Sequence, residues 1–409
     1  MAIHPLLPSR RQLLAGLSAA SIGGIAHAGQ ASAPAEAGRI AATGLDPGLA
    51  YLNTGSLGPT PPLVLERVLD AWRTIERNPV VSAYGAGAAG AMANEARERA
   101  ARLIGADPDQ LLVTTGATAG MNAIAGSVRL ARGEAVLTTD QEHHGGTAGW
   151  EYRKRRDGVR IDRIAVPPGE ADADAILARI EAAIRPETRV ISVSHVLYTT
   201  GFRMPVAAIS ALARARGLLC VVDGAQAVGA IAVDVRAIGC HAYAASGHKW
   251  LMGPKGTGLL HVSADAAGRI EPMQWELGRQ YVAESAGVGP IALAAGLVAA
   301  IEAIEAVGIA EVERRVLALR DHFQRGLAAL PGVTMASPPP GPLASGLVSI
   351  VLPDALEARP LLIRMRERAG VVARAIPREW FNGLRFSTHI FNTENEIARA
   401  LAALRAELG

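Results

Sequence analysis

Cysteine is almost absent from this chain of 409 residues, which contains only Cys220 and Cys240. Two cysteines cannot supply the disulfide framework of a small secreted protein. Cys220 lies in an apolar segment, which favours a buried free thiol, and a Cys220–Cys240 bridge is the alternative. Aromatic residues make up only 4% of the chain, and its 44 glycines and hydrophobic share of 50% favour helices packed closely on a sheet.

An excess of charge of one sign is also missing. The sequence has 41 basic and 38 acidic residues, which gives a formal net charge of +3. It shows no stripe of basic residues interleaved with aromatic ones, the usual pattern of a nucleic-acid-binding surface. We therefore expect no nucleic-acid partner and predict a small-molecule substrate.

The N-terminal apolar run, Ala15 to Ile25, is shorter than the roughly 20 residues that a membrane-spanning helix needs. It follows a twin-arginine pattern in residues 9–14 and precedes Ala26-His27-Ala28, which has the form of a small-x-small cleavage site. We predict that residues 1–28 are a signal peptide read by the twin-arginine translocase, which exports folded proteins to the periplasm. A disordered basic N-terminus is the alternative.

The length allows a large domain and a smaller one. Strand-like and helical segments alternate over residues 111–262, which predicts an α/β fold with a mostly parallel sheet covered on both faces. We assign residues 29–60 to a flexible segment followed by a short strand. Residues 61–300 are assigned to the large domain and residues 301–409 to a smaller α+β domain. In the smaller domain we predict strands over residues 371–376 and 384–390. We expect Gly308 to break the long helical stretch over residues 291–330.

Two apolar segments each end in polar residues of chemical interest. The run from Leu218 to Val222 ends in Asp223, and the run from Ala242 to Ala245 is followed by Ser-Gly-His and Lys249. A buried strand commonly presents an acid at its carboxyl end, and a lysine in such a setting is a candidate nucleophile. Pyridoxal phosphate (PLP) needs both, an amine that holds its aldehyde as a Schiff base and a carboxylate that keeps its ring nitrogen protonated. A structural salt bridge is the alternative.

The sequences DGAQAVG at 223–229 and SGHKWLMGPKGTG at 246–258 resemble the active-site signature of the class V aminotransferases, which are fold-type I PLP enzymes. The resemblance implies a seven-stranded, mostly parallel sheet in the large domain and a homodimer with active sites near the interface. It implies a Schiff base at Lys249. We expect Gln226 to donate to the ring hydroxyl, and Ser246 and His248 to hold the phosphate.

Two more segments extend the resemblance around the cofactor. A strand-like run over residues 111–115 leads through Gly116 into a helix start, which is a ready anion site, and the family uses the matching Ala117 and Thr118 in its phosphate cup. By the same resemblance His143 stacks on the PLP ring and shuttles protons. His143 and His144 do not predict a metal site, because neighbours in sequence rarely bind one ion and no further ligand follows at the usual spacing.

The substrate-binding residues are also implied by resemblance. The segment containing Asn53, Gly55 and Ser56 is similar to one that crosses the active-site mouth in the family. Arg385 occupies the position of the arginine that binds the substrate α-carboxylate, and Arg374 matches another arginine at the mouth.

Three positions depart from the family or from another motif. Tyr198 stands where relatives often carry an asparagine that contacts the ring hydroxyl. Gly287 and Val288 replace a Gly-Thr pair whose hydroxyl reaches the partner subunit's phosphate. Residues 85–90 spell G-x-G-x-x-G, but the preceding residues 73–82 are charged and contain a proline, so they do not predict the buried strand of a dinucleotide site. We expect a mobile loop there, near the active site of the dimer.

The sequence is compatible with several PLP-dependent reactions. Cysteine desulfurases need a cysteine on a small-domain loop, and residues 337–346 and 374–380 contain none, which argues against a persulfide route. Aminotransferase or epimerase chemistry on an amino acid or peptide-derived metabolite is expected, with Tyr198 or Tyr84 as candidate second acids for epimerisation. A C–S or other β/γ-lyase and a non-catalytic exported PLP-binding protein are the alternatives. The sequence around residues 53–61 and 78–85 is most similar to that of the isopenicillin N epimerase-like subgroup, which includes exported enzymes that modify pyoverdine.

Overall fold

The computed structural model describes residues 43–80, 88–266, 268–271, 274–276, 279–281 and 290–408. The predicted signal peptide, Tyr84 and the Gly287–Val288 pair lie outside these residues. So do residues 85–87 of the predicted mobile loop, but Ala88 to Gly90 form the first turn of a helix, which corrects the prediction for that half of the segment.

In chain order the strands are β1 (Ala50–Tyr51), β2 (Leu111–Thr114), β3 (Ala135–Thr139), β4 (Arg160–Ile164), β5 (Thr188–Ser194), β6 (Leu219–Asp223), β7 (Ala242–Ser246), β8 (Gly258–Val262), β9 (Gln274–Glu276), β10 (Arg279–Tyr281), β11 (Thr334–Met335), β12 (Leu347–Val351), β13 (Val371–Val372), β14 (Arg374–Ile376) and β15 (Gly383–Ser387). The helices are α1 (Pro62–Glu76), α2 (Ala88–Leu103), α3 (Ala117–Ser127), α4 (His144–Asp157), α5 (Ala173–Ala183), α6 (Val206–Ala215), α7 (Val235–Ile238), α8 (Ile291–Val307), α9 (Ile309–Ala328), α10 (Ala358–Ala369) and α11 (Glu394–Leu408).

The main sheet has seven strands in the order β2-β8-β7-β6-β5-β3-β4. Strand β8 runs antiparallel to both of its neighbours, and the other adjacent pairs are parallel. Strands β3, β6 and β7 are buried along their whole length, as expected for a parallel sheet with helices on both faces. The predicted seven-stranded, mostly parallel sheet is confirmed.

Helices α8 and α9 meet at Gly308, which has a φ of +85°. Helix α8 is apolar on nearly all sides and largely buried, as is typical of a helix inside a protein core. Within the described ranges no single helix is long and apolar enough to cross a membrane, and only α8 and α9 together reach that length and composition, with an 80° bend between them. The predicted domain boundary at residue 300 falls inside α8.

A second sheet has the antiparallel order β11-β12-β15-β14 and its own hydrophobic core, to which α9, α10 and α11 contribute. The single strand predicted over residues 371–376 is in fact two. Val372 pairs with Tyr51 of β1, whereas Arg374 pairs with Arg385 of β15, so the chain changes partners at Ala373. The strand predicted over residues 384–390 ends early, at Ser387, and a turn follows in which the Asn392 amide donates to the His389 carbonyl at 2.9 Å.

Candidate active site

The parallel strands of the main sheet end at one edge, and their polar ends surround a cavity of about 570 Å³. In an α/β sheet this edge is the usual place for a ligand. The lining is Gly55, Ser56, Thr115, Gly116, Ala117, Thr118, Ala119, Asn122, His143, Ser194, Val196, Tyr198, Asp223, Ala225, Gln226, Ser246, His248, Lys249 and Arg374. All eight predicted cofactor-binding residues are in this set.

Asp223 and Lys249 lie close enough to influence each other's charge. Burial raises the pKa of the Asp223 carboxyl, while Lys249 and a hydrogen bond from the Ala225 amide at 2.9 Å oppose that rise. Burial lowers the pKa of the Lys249 amine to about 8, although the Asp223 charge works in the other direction. Burial therefore favours the neutral form of both groups, and Lys249 becomes a stronger nucleophile at neutral pH than an exposed lysine.

The segment predicted to cross the mouth of the site is hydrogen-bonded to the loop that carries Lys249. The Gly58 amide donates to the His248 carbonyl at 2.9 Å, and a Cβ at Gly58 would lie 2.0 Å from the Lys249 carbonyl oxygen. Only a glycine allows this approach. The Gly55 amide donates to Ser387 Oγ at 3.1 Å, so the same segment also contacts β15.

The start of α3 borders the cavity at the place where the sequence predicts an anion site. The Ala117 amide donates to Ser246 Oγ at 3.2 Å. The amides of Thr118 and Ala119 belong to the first turn, where no partner is available within the helix, and both residues line the cavity. His248 Nδ1 lies 3.1 Å from the Thr257 carbonyl, so this nitrogen carries a proton and Nε2 remains for another partner. Free amides and polar side chains thus converge at a helix N-terminus.

His143 caps the start of α4, where its Nδ1 accepts a hydrogen bond from the Gly145 amide at 3.0 Å. Burial and the charges of Lys249 and Arg385 lower the pKa of His143 to about 4. The ring is therefore neutral at physiological pH, with its proton on Nε2. A neutral ring agrees with the predicted stacking role, whereas a pKa of about 4 leaves little basic strength for the predicted proton shuttle.

Gln226 is held from two sides. Its Nε2 donates to the Gly55 carbonyl at 2.8 Å, and its Oε1 accepts from Trp250 Nε1 at 2.8 Å. One Nε2 hydrogen remains for the predicted bond to the ring hydroxyl. Gln226 therefore also joins the mouth segment to the loop that carries Lys249.

Arg385 is a completely buried cation. Its guanidinium donates to Ser56 Oγ at 2.8 Å, to the Tyr198 carbonyl at 3.2 Å and to Asn53 Oδ1 at 3.4 Å, while Nε has no partner. The residues that the structure describes provide no carboxylate for it. Burial lowers the pKa of Arg385 to about 10, so it remains charged at neutral pH. A buried charge is costly unless it is paired, and a ligand carboxylate would pair it.

Tyr198 connects Arg385 with the histidine side of the cavity. The Arg385 guanidinium lies 4.9 Å from the centre of the Tyr198 ring, and that ring packs edge-on against His143 with centroids 4.8 Å apart. Tyr198 is buried and lines the cavity. Arg374, by contrast, is exposed at the cavity rim.

Sequence reasoning assigned no role to Glu142, which is buried beside the site. Its carboxylate accepts from Ser194 Oγ and Thr139 Oγ1, at 2.5 and 2.8 Å, and from the Ser194 amide at 3.2 Å. Burial, with a smaller contribution from the Asp223 charge, raises the pKa of Glu142 to about 7. Glu142 immediately precedes His143, so its bonds to β3 and β5 help to position that ring. The acid before His143, just past a buried strand, was the available signal.

The sequence of residues 50–399 matches the class-V aminotransferase family. The chain belongs to this family, and its fold is that of the fold-type I PLP enzymes.

Individual relatives carry different activities. Isopenicillin N epimerase of Streptomyces clavuligerus is 34% identical over 388 residues, which cover 89% of this chain and 96% of the relative. A probable cysteine desulfurase of Methanothermobacter thermautotrophicus is 29% identical over 375 residues, covering 85% and 92%. Among solved structures, the cystine C-S lyase C-DES in complex with cysteine persulfide has a TM-score of 0.78 and 25% identity, covering 88% of this chain and 98% of the other. A mutant of C-DES has glycine covalently linked to its PLP cofactor.

The chain's own residues fit PLP, the cofactor of this family. The free amides at the start of α3 suit a phosphate, and buried Asp223 suits a protonated ring nitrogen. The sequence contains three lysines, at 154, 249 and 255, and Lys249 is the one in the cavity wall. The start of α4 approaches the acid so closely that a Cβ on Gly146 would lie 2.7 Å from Asp223 Oδ2.

The lowered pKa of Lys249 predicts how the apoprotein captures PLP as the pH changes. Only the neutral amine attacks the aldehyde, so the capture rate should rise about tenfold per pH unit below pH 8 and level off above it. Stopped-flow absorbance between pH 7 and 10 measures this rate. Nα-acetyl-lysine serves as the control, because its reaction should continue to accelerate up to pH 10. A protein rate that also rises tenfold between pH 9 and 10 would contradict the prediction.

Proposed function

We propose that this protein is a periplasmic PLP-dependent enzyme that acts on the amine-bearing carbon of an amino acid or peptide-derived metabolite, as an epimerase or an aminotransferase. The observation that carries the proposal is Arg385, a buried cation without a described carboxylate partner, close to a cavity that contains Lys249 and Asp223. A protein that only stored PLP would have no need for a buried site that fits a carboxylate. The 34% identity to an isopenicillin N epimerase supports reaction at this carbon.

Each predicted residue receives a role in holding the cofactor. Asp223 would pair with the ring nitrogen, and Gln226 would donate to the ring hydroxyl. The neutral ring of His143 would pack against the cofactor ring. The phosphate is held by the residues at the start of α3 and the end of β7, namely Ala117, Thr118, Ser246 and His248. When bound, PLP withdraws electrons from the carbon that bears the substrate amine.

Proton transfer falls to two side chains in this proposal. The Lys249 amine would take the proton from the substrate carbon, and its pKa of about 8 keeps it close to the working pH. Arg385 fixes the orientation of the substrate through its carboxylate, with Asn53 and Ser56 supporting the guanidinium. Tyr198, beside both His143 and Arg385, is the candidate acid on the side of the substrate carbon opposite Lys249.

Incubation with single L- and D-amino acids in heavy water tests the reaction. Epimerisation would produce the mirror-image product with deuterium at the α-carbon and would need no keto acid. Transamination would require a keto acid as acceptor and would convert the amino acid into its keto form. Chiral chromatography with mass spectrometry distinguishes the two. A PLP absorbance band that responds to no amino acid or short peptide would overturn the proposal and favour a PLP-binding protein.

Replacing Tyr198 by phenylalanine should separate the two proton transfers. The variant keeps the ring that packs on His143 and loses only the hydroxyl, so epimerisation should fall about 100-fold. Exchange of the α-proton with retention of configuration should persist, because Lys249 is unchanged. Nuclear magnetic resonance measures exchange and inversion in the same sample. Equal losses of both activities would argue against Tyr198 as the second acid.

We further propose that any C–S chemistry here does not use an enzyme-bound persulfide. The two cysteines of the chain are both buried and free, and burial raises the pKa of the Cys220 thiol to about 11. A buried neutral thiol is a poor sulfur acceptor.

The second candidate function is a C–S lyase, supported by the likeness to C-DES. Formation of pyruvate from cystine would favour it over epimerisation.

The cellular location and the assembly state are part of the proposal. The twin-arginine pattern in residues 9–14 supports export of the folded, PLP-loaded enzyme. Replacing Arg10 and Arg11 by lysine should leave the protein in the cytoplasm, as cell fractionation would show, and unchanged export would contradict the assignment. We expect a homodimer, which light scattering can test.

A further inference from the structure

A second cavity, of about 790 Å³, adjoins the candidate active site. It lies between α10 and the strands β13 and β14, and we call it the distal groove. Arg374 lines both cavities, and Asn53, which accepts a hydrogen bond from Arg385, also lines the distal groove. The two cavities therefore meet at the substrate-binding end of the active site.

The distal groove is rich in arginine. Arg359 and Arg366 from α10, Arg374 from β14 and Arg378 all line it. Arg378 is paired with Glu357. Among the described residues the other three have no carboxylate partner. The groove therefore has a surplus of positive charge that the described residues do not neutralise.

The rest of α10 shows that this surplus is local. Arg364 and Arg368 on the same helix do have a partner, because both form ion pairs with Glu407 at 2.6 and 3.1 Å. Unpaired arginine is thus not a general property of α10. It is confined to the side of the helix that borders the groove.

The positive charge of the groove reaches the active site because two arginines are paired across neighbouring strands. Arg374 of β14 lies directly opposite Arg385 of β15. Like charges at directly opposed positions destabilise a sheet, so an anion between or beside them would be stabilising. The positive charge of the groove therefore extends to the guanidinium of Arg385, which we assign to the substrate α-carboxylate.

Apolar side chains complete the groove. Leu362, Ile363, Val372 and Ile376 line it, and Ile363 is 41% exposed although it is a large aliphatic residue. A ligand that fits this surface has an aliphatic or peptide-like arm and an anionic group. Chains of this type bury apolar area while the charged end contacts the guanidinium groups.

We propose that the distal groove binds the far end of the substrate, an aliphatic or peptide arm that ends in a second carboxylate. This inference rests on the proposed function, because it places the α-carboxylate at Arg385. The preferred substrate is a dicarboxylic amino acid whose two acid groups are separated by a chain long enough to pass Arg374.

A chain-length series tests the proposal. L-Glutamate, L-2-aminoadipate, L-2-aminopimelate and L-2-aminosuberate are each compared with the monocarboxylic amino acid of equal length. Titration calorimetry of the PLP-loaded enzyme measures affinity, and the reaction at the α-carbon is followed separately. At one or more of the longer lengths the dicarboxylate should bind at least about tenfold more tightly than its partner, and added salt should reduce this preference.

Two variants locate the effect. The double variant Arg359→Ala/Arg366→Ala should lose most of the preference for the second carboxylate, whereas Arg368→Ala, which breaks the pair with Glu407, should keep it. Thermal melting of each variant establishes that it is folded. The proposal is overturned if no length shows a preference, or if the preference survives in the double variant. A preference in binding without any reaction at the α-carbon would instead count against the proposed function and leave the groove assignment standing.

Discussion

Replacement of Lys249 by alanine should reduce turnover by about 10³-fold or more and abolish covalent attachment of PLP. The amine has two jobs in the proposed reaction, because it holds the cofactor and then moves the substrate proton, and alanine can do neither. Borohydride treatment of the unaltered protein should fix the cofactor on the peptide that contains Lys249. In the variant no peptide should carry it, although phosphate and ring contacts can still bind PLP without a covalent bond.

Lys255 provides the matched control. It lies six residues from Lys249, and its amine donates to the Gly58 carbonyl and to Thr60 Oγ1, both at 2.7 Å. Lys255→Ala should therefore retain the covalent attachment. Since the chain contains only three lysines, peptide mass spectrometry identifies the modified one without ambiguity. Attachment at Lys154 or Lys255 in the unaltered protein would disprove the central assignment.

Replacement of Arg385 by alanine should lower kcat/KM for amino acids by about 100-fold. The physical reason is loss of the buried cation that pairs with the α-carboxylate and orients the bond to be broken. The same substitution should matter much less for amino-acid amides, which have no carboxylate at that position. The difference between acid and amide separates a lost contact with the substrate from general damage to the site.

Arg385→Lys is the conservative variant, and it should recover only part of the activity. Lysine restores the charge but cannot make the two parallel hydrogen bonds of a guanidinium. Because Arg385 also bonds to Ser56, Asn53 and the Tyr198 carbonyl, thermal melting must establish that each variant is folded. Equal losses for acids and amides in a folded variant would show that Arg385 does not bind the carboxylate.

Much of the fold was predictable because its signals are local. Buried parallel strands appear in the sequence as short apolar runs, and the prediction of a strand that ends in Asp223 agrees with β6. The prediction of a helix break at Gly308 was equally direct, since α8 ends and α9 begins there. The strand predicted over residues 371–376 was wrong because both of its halves are extended. Only pairing with β1 and β15 separates them.

The same distinction between local signals and tertiary packing applies to the candidate site. Asp223, Lys249 and the helix start at Ala117 were predicted from the sequence, because strand ends and glycine turns have recognisable patterns and because the family signature is long. The charge states of these groups were not predicted from the sequence, because burial in the folded protein determines them. The pKa of His143 is lowered by surroundings that include Arg385, more than two hundred residues away in the chain.

The sequence by itself determined which lysine, which acid and which glycine turn are the candidates for holding PLP, since each is encoded within a few consecutive residues. Only the tertiary structure decided what surrounds them. It brings Arg374 opposite Arg385, gathers in the groove arginines that have no described carboxylate partner, and joins Glu142 by hydrogen bonds to Ser194 of β5. These features join residues from distant parts of the chain, and packing and strand register, which no local pattern specifies, bring them together.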